Sequence, residues 1–200
     1  MVYDATICPI PKPVSEEHIT QYIRIRLAAL KTSPQAFGST FAGESAFSRE
    51  QWCARIDNPA RTTFFATSAL STDASLEGDY DEHDQDAHAS KWIGTLSLLG
   101  PDMLRGVPFP PSVTEDREDA EIYMLTGMWV DPGFRKKGVG KQLVEHALQA
   151  VRGNCGRKRV LVLEVNNANA EARKLYEGHG FAVSPEGTKD NREWMALNIN

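Results

Sequence analysis

Two runs of this chain are apolar on both alternations, EIYMLTGMWV at 121–130 and VLVLEV at 160–165. A strand with one wet face alternates apolar and polar residues, whereas a strand apolar throughout is covered on both sides. Between the two runs, Val139, Leu143, Ala147 and Val151 recur at helical spacing, with Val144 and Leu148 beside them. Two covered strands joined by an amphipathic helix dictate an α/β sheet with that helix packed on one face. The rest of the chain has to be arranged around this unit.

Upstream, residues 2–8 read as a short first strand, ended by Pro9, Pro11 and Pro13. Ser15 followed by Glu16 and Glu17 marks a helix start. Ile19, Tyr22, Ile23, Leu27 and Leu30 form its apolar stripe, and Pro34 stops it. Ser48 with Gln51 has the spacing of a capping box and opens a short helix through Trp52 and Ile56. TTFFATSAL (62–70) and KWIGTLSLLG (91–100) read as strands joined by a long connection. Gly100–Asp119 is a loop rich in Pro, Gly and acids. Downstream, Ala168, Ala172, Leu175, Tyr176 and His179 make another helical stripe, closed by Gly180. FAVSP and WMALNIN are the last strands, so the sheet is mixed.

The net charge of -5 is unevenly placed. Residues 71–90 hold seven acids and no Lys or Arg, and the remaining 20 acids against 22 bases leave about +2. That segment reads as a solvated loop insertion. Asp79, Asp81, Asp84 and Asp86 with His83 and His88 do not fit a calcium loop, because position five is His83 and position six is Asp84 rather than glycine. His146 and His179 lack ligands at zinc spacing, so no metal is expected. Without a strong basic excess, nucleic acid is not an expected partner. With no apolar run of membrane length and no secretory leader, neither is a membrane. Three scattered cysteines, Cys8, Cys53 and Cys155, fit a reducing, cytoplasmic compartment.

The chemistry-bearing segment is VDPGFRKKGVGKQL, Val130–Leu143. A covered strand ends, a short basic loop follows, and Gly138 and Gly140 open a helix. A helix N-terminus presents unpaired N–H groups and the positive end of the macrodipole, and glycine lets a diphosphate approach closely. Arg135, Lys136, Lys137 and Lys141 surround it. The plain alternative is a basic helix start with two glycines for tight packing. A P-loop fails because Val139 follows Gly138, and a dinucleotide fingerprint fails because Leu143 stands where a third glycine is needed.

These residues resemble the GNAT (Gcn5-related) N-acetyltransferases. Their R/Q-x-x-G-x-G/A signature stands complete as Arg135-Lys136-Lys137-Gly138-Val139-Gly140. A second family pattern, N-x-x-A-x-x-L-Y-x-x-x-G-F, stands complete through Asn169, Ala172, Leu175, Tyr176, Gly180 and Phe181. RIRLAALKTSPQAFGSTF (24–41) is similar to the paired N-terminal helices of many members. The resemblance covers nearly the whole chain except 71–90. It implies one domain spanning 1–200, with a mixed, mostly antiparallel sheet of six or seven strands. About four helices flank that sheet, and it splays between its fourth and fifth strands.

The resemblance further implies that acetyl-CoA lies in that gap as co-substrate. Backbone near Met128, Trp129 and Val130 would pair with its pantetheine arm. N–H groups from Arg135, Lys136, Lys137, Gly138, Val139, Gly140 and Lys141 would hold its diphosphate, and Asn169 would touch the arm. Tyr176 would meet the leaving thiolate, although its place on an apolar stripe also suits a core aromatic. Glu121 would act as general base, although it begins its strand and equally suits a solvated strand end; Glu164 is the rival. Trp52 and Phe37 either line an acceptor pocket or fill the core. Cys155 lies in a turn away from the expected cleft and is not an acyl carrier. The expected activity is direct acetyl transfer to a primary amine of a small molecule or peptide, with homodimerisation left open. The rivals are a non-catalytic acyl-CoA-binding module and an interaction protein that recruits basic partners through its acidic segment.

Overall fold

The computed structural model describes residues 5–68, 91–114, 120–153, 158–186 and 191–199. The acidic segment at 71–90, with His83 and His88, and the turn holding Cys155 lie outside the described residues. The strands are β1 (Ala5–Pro9), β2 (Arg61–Ser68), β3 (Trp92–Leu99), β4 (Glu121–Val130), β5 (Arg159–Asn166), β6 (Ala182–Val183) and β7 (Arg192–Ile199). They form one mixed sheet in the order β1-β2-β3-β4-β5-β7-β6. The β4–β5 pair is parallel, and the other pairs are antiparallel.

The helices are α1 (Glu16–Thr32), α2 (Phe41–Ser45), α3 (Arg49–Ile56), α4 (Pro111–Thr114), α5 (Val139–Arg152) and α6 (Ala170–Glu177). Ser15 caps α1 by accepting from the His18 N–H, and Ser48 with Gln51 closes a reciprocal capping box on α3. One face of the sheet packs α5 and Tyr176 of α6 around Leu143, Leu161, Leu163 and Met195. The other packs α1 and α3 around Trp92 and Trp129, and Val113 of α4 against Val160 and Val162.

In α1 the buried face differs from the expected stripe. Tyr22, Ile25, Arg26 and Ala29 are buried, while Ile23 and Leu27 are only half-buried. The helix is rotated toward Arg26, which reaches a buried carboxylate on α2. Burying a paired charge displaces two aliphatic residues toward the rim.

The sheet parts where β4 bends. Its pairing with β5 runs from Glu121↔Arg159 to Met124↔Val162 and stops. On the opposite edge, Gly127 and Met128 stand against the single residue Leu96, since the register passes from Ser97↔Thr126 to Thr95↔Trp129. Gly127 has a φ of 65°, a left-handed conformation that suits glycine. A bulge kinks its strand and raises the local twist, and here it carries β4 away from β5. Although β4 carries apolar residues on both alternations, only Leu125 and Trp129 on it are buried.

Candidate active site

The parted strands enclose a cleft of about 660 Å³. Its floor is β4 from Met124 to Val130, and β5 supplies Glu164, Val165 and Asn166. The start of α5 contributes Gly138 and Gly140, α6 contributes Tyr176, and the turn after α1 contributes Phe37 and Ser39. That turn is tied across the gap, because Asn166 Nδ2 donates to the Gln35 carbonyl at 3.1 Å.

At the α5 end, Gly138 is the N-cap with a φ of 89° and gives no side-chain cap. The first α5 N–H groups therefore lack the side-chain acceptor that usually meets them. Gly140 also lines the cleft, and a Cβ there would stand 2.9 Å from the Met128 methyl. The absence of a side chain keeps the helix start close to the floor of the cleft.

The basic residues around this cradle divide by role. Arg135 Nε donates to the Val130 carbonyl at 3.0 Å, and its Nη2 donates to Ser33 Oγ at 3.1 Å. Trp129 Nε1 donates to the same Ser33 Oγ at 3.3 Å. Arg135 thus braces the loop against the end of α1. Lys136 pairs with Glu171 at 3.1 Å across the mouth, and Lys141 lies near Glu145 at 3.7 Å. Lys137 sits over the Phe134 ring and does not line the cleft, and the Val139 side chain is buried in the core.

Tyr176 lines the cleft and is 7% exposed. Its hydroxyl donates to Met128 Sδ at 3.1 Å, and burial raises its pKa above the ordinary phenol value. The phenol therefore stays protonated, a donor whose present acceptor is a weak thioether. Asn169 also lines the cleft and is the N-cap of α6, its Oδ1 accepting from the Ala172 N–H at 3.1 Å.

Glu121 and Glu164 part company. Glu121 lies where β4 and β5 are still paired, 3.5 Å from Arg159 Nε, and accepts from the Tyr123 hydroxyl at 3.3 Å. It does not line the cleft, whereas Glu164 does, with its side chain exposed. Trp52 is a core aromatic against Tyr22 and Phe47, whereas Phe37 lines the cleft.

One group beside Phe37 and Ser39 is not marked by any sequence motif. Arg26, 6% exposed, donates to Glu44 through Nε at 2.9 Å and Nη2 at 2.8 Å. Glu44 is 2% exposed and also pairs with Arg55 at 3.1 Å. Burial alone would push the Glu44 carboxyl up. The bonds from Arg26 and Ser39 and the charges of Arg26 and Arg55 outweigh it, holding the carboxyl at about 2. The available signal was a charged residue four positions after Tyr22 on an apolar stripe.

A parted mixed sheet with an uncapped, glycine-opened helix at its mouth is a site for an extended ligand that carries an anionic group. Residues 75–181 match the acetyltransferase (GNAT) family, and the chain belongs to that family and is an acyltransferase enzyme. It is similar to the peptidyl-lysine N-acetyltransferase YjaB of Salmonella typhimurium, 34% identical over 111 residues, which are 52% of this chain and 72% of that protein. Its fold is similar to Arabidopsis thaliana NAA60 in complex with a bisubstrate analogue, at 15% identity and a TM-score of 0.62, covering 98% of this chain and 100% of that one. It is also similar to the GNAT domain of S. lividans PAT, at 15% identity and a TM-score of 0.63, covering 98% and 90%. No helix among the described residues is long and apolar enough to cross a membrane.

Proposed function

We propose that the chain transfers the acetyl group of acetyl-CoA directly to a primary amine of a small molecule or peptide. The observation that carries this is the unpaired edge of β4 beyond Met124, opening onto the uncapped start of α5. An extended arm fits such an edge as an added strand, and a diphosphate fits such a helix start. A solved complex of Arabidopsis thaliana NAA60 with acetyl-CoA has the same fold, at a TM-score of 0.59. The likeness to YjaB, a peptidyl-lysine N-acetyltransferase, supports a lysine side chain as one acceptor. Free thiols at Cys8 and Cys53 suit a reducing cytoplasm.

When bound, acetyl-CoA supplies an activated acetyl thioester. The backbone of Met128, Trp129 and Val130 aligns its arm, and the N–H groups from Gly138 to Lys141 hold its diphosphate. Arg135 keeps that loop in place, and Asn169 fixes the start of α6 beside the arm. Glu164 takes the proton that the acceptor ammonium must lose before its nitrogen can attack. The Tyr176 hydroxyl donates a hydrogen bond to the departing sulfur. What supports Glu164 over Glu121 as the base is that Glu164 lines the cleft and Glu121 does not.

The test is calorimetric titration with acetyl-CoA, followed by thiol release and product mass with a panel of primary amines. Saturable binding and amine-dependent release are expected. Binding without release for any amine would leave only an acyl-CoA-binding module.

A further inference from the structure

The guanidinium of Arg26 is only partly used. Nε and Nη2 meet Glu44, and Nη2 also donates to Ser39 Oγ at 3.3 Å. Nη1 is buried and has no hydrogen-bond partner among the described residues. The plane is held by the Phe37 ring 4.6 Å from its Cζ. Arg26 lines the cleft, and its Nη1 is 3.9 Å from where a Cβ on Gly127 would stand. This buried cationic donor thus points at the bulge where the strands part. A buried charged donor left unpaired costs more than a neutral one.

Charge decides what would satisfy it. Glu44 is shared between Arg26 and Arg55, so that cluster carries one excess positive charge. Arg192 and Arg135 bring the guanidiniums of the lining to four, and of its two carboxylates Glu171 is paired with Lys136, which leaves Glu164. If Glu164 handles the amine, the excess positive charge of the Arg26–Glu44–Arg55 cluster is left without a matching anion. From this geometry we infer that the acceptor carries a carboxylate near its amine, and that Arg26 Nη1 binds that carboxylate. Arg26 then acts as a specificity-determining residue that places the amine toward Glu164. The inference rests on the acetyl-transfer reading above and narrows its substrate class. The carboxylate belongs either to a free amino acid or to an acidic residue beside a lysine in a peptide.

The experiment compares matched acceptors on the intact protein. The ω-amino acids of two to six carbons are set against their carboxamides, and a lysine peptide flanked by Glu against the same peptide flanked by Gln. Acetyl-CoA affinity is measured separately by calorimetry. In at least one arm, kcat/KM should favour the carboxylate by about tenfold or more, mainly through KM. The arm that shows the preference identifies the source. Arg26→Gln should reduce the preference to below about threefold while acetyl-CoA affinity stays unchanged. If that variant does not fold because Glu44 keeps only Arg55 as a charged partner, Arg26→Gln with Glu44→Gln removes both members of the bidentate pair. Equal turnover of acid and amide in every arm overturns the inference, as does a preference that survives loss of Arg26. Acetyl-CoA binding with no acceptor turned over also overturns it, and a protein that binds no acetyl-CoA overturns both readings.

Discussion

Tyr176→Phe keeps the ring, its edge-on contact with Phe181 and its place against the core, and removes one hydroxyl. In the structure that hydroxyl spends its proton on a thioether, a weak acceptor. The stability cost should therefore stay below about 1 kcal/mol. The catalytic cost is larger and can be bounded. Burial has raised the phenol above its ordinary pKa of about 10, while a thiol ionises near 8.5. Full proton transfer from Tyr176 to a thiolate therefore runs uphill, and its help takes the form of a hydrogen bond to a charged sulfur. Such bonds contribute about 1.5–3 kcal/mol, which converts to a loss of roughly ten- to 150-fold in the chemical step. Acetyl-CoA affinity should barely change, because the bond strengthens as charge develops. Single-turnover rates with a good acceptor read this directly. The wild-type rate should also show no fall from Tyr176 ionisation below about pH 10. A variant as fast as wild type in single turnover would refute the reasoning and leave Tyr176 a core aromatic.

Other perturbations separate the parts of the site. Gly140→Val drives a side chain into Met128, so acetyl-CoA affinity should drop about tenfold or more by calorimetry, with melting little altered. Glu121→Gln should leave kcat within about threefold, whereas Glu164→Gln should lower kcat/KM by about a hundredfold; the opposite ranking would return the base to Glu121. Glu44, held at about 2 in the folded protein against about 4.3 unfolded, contributes stability that is full above about pH 4.3 and is lost as pH falls toward 2. Denaturant unfolding at neutral and acid pH should show this loss, and Glu44→Gln should flatten it while weakening the protein at pH 7.

Periodicity and capping chemistry carried the elements. The first covered run coincides with β4, and Ser15 and Ser48 start their helices where expected, because these signals are local. The opening between β4 and β5 came from the family resemblance alone, although an isolated Gly127 inside an apolar strand is the residue signal of a bulge. What stayed hidden is non-local. Glu121 meets Arg159 and Glu164 faces the cleft because of how two strands register, and the sequence spacing of neither acid shows this. The Arg26–Glu44–Arg55 cluster joins residues from three helices, so no single-helix pattern contains it. Asn169 shows the reverse limit, since a residue read for its cofactor contact is also the cap that starts α6.

The short run of pairing between β4 and β5 has a mechanical consequence. Four residue pairs, Glu121↔Arg159 to Met124↔Val162, form the ladder joining β1–β4 to β5–β7. The two halves of the sheet behave as covers on a short spine, and a strand-like occupant in the gap works as stitching between them. Such an occupant binds the folded chain and not the unfolded one, so it raises the unfolding free energy by about 2.7 kcal/mol at a hundred times its dissociation constant. The durability of the fold is then set by how much occupant is available, and a protein starved of it should open first at the Met124↔Val162 end of that ladder.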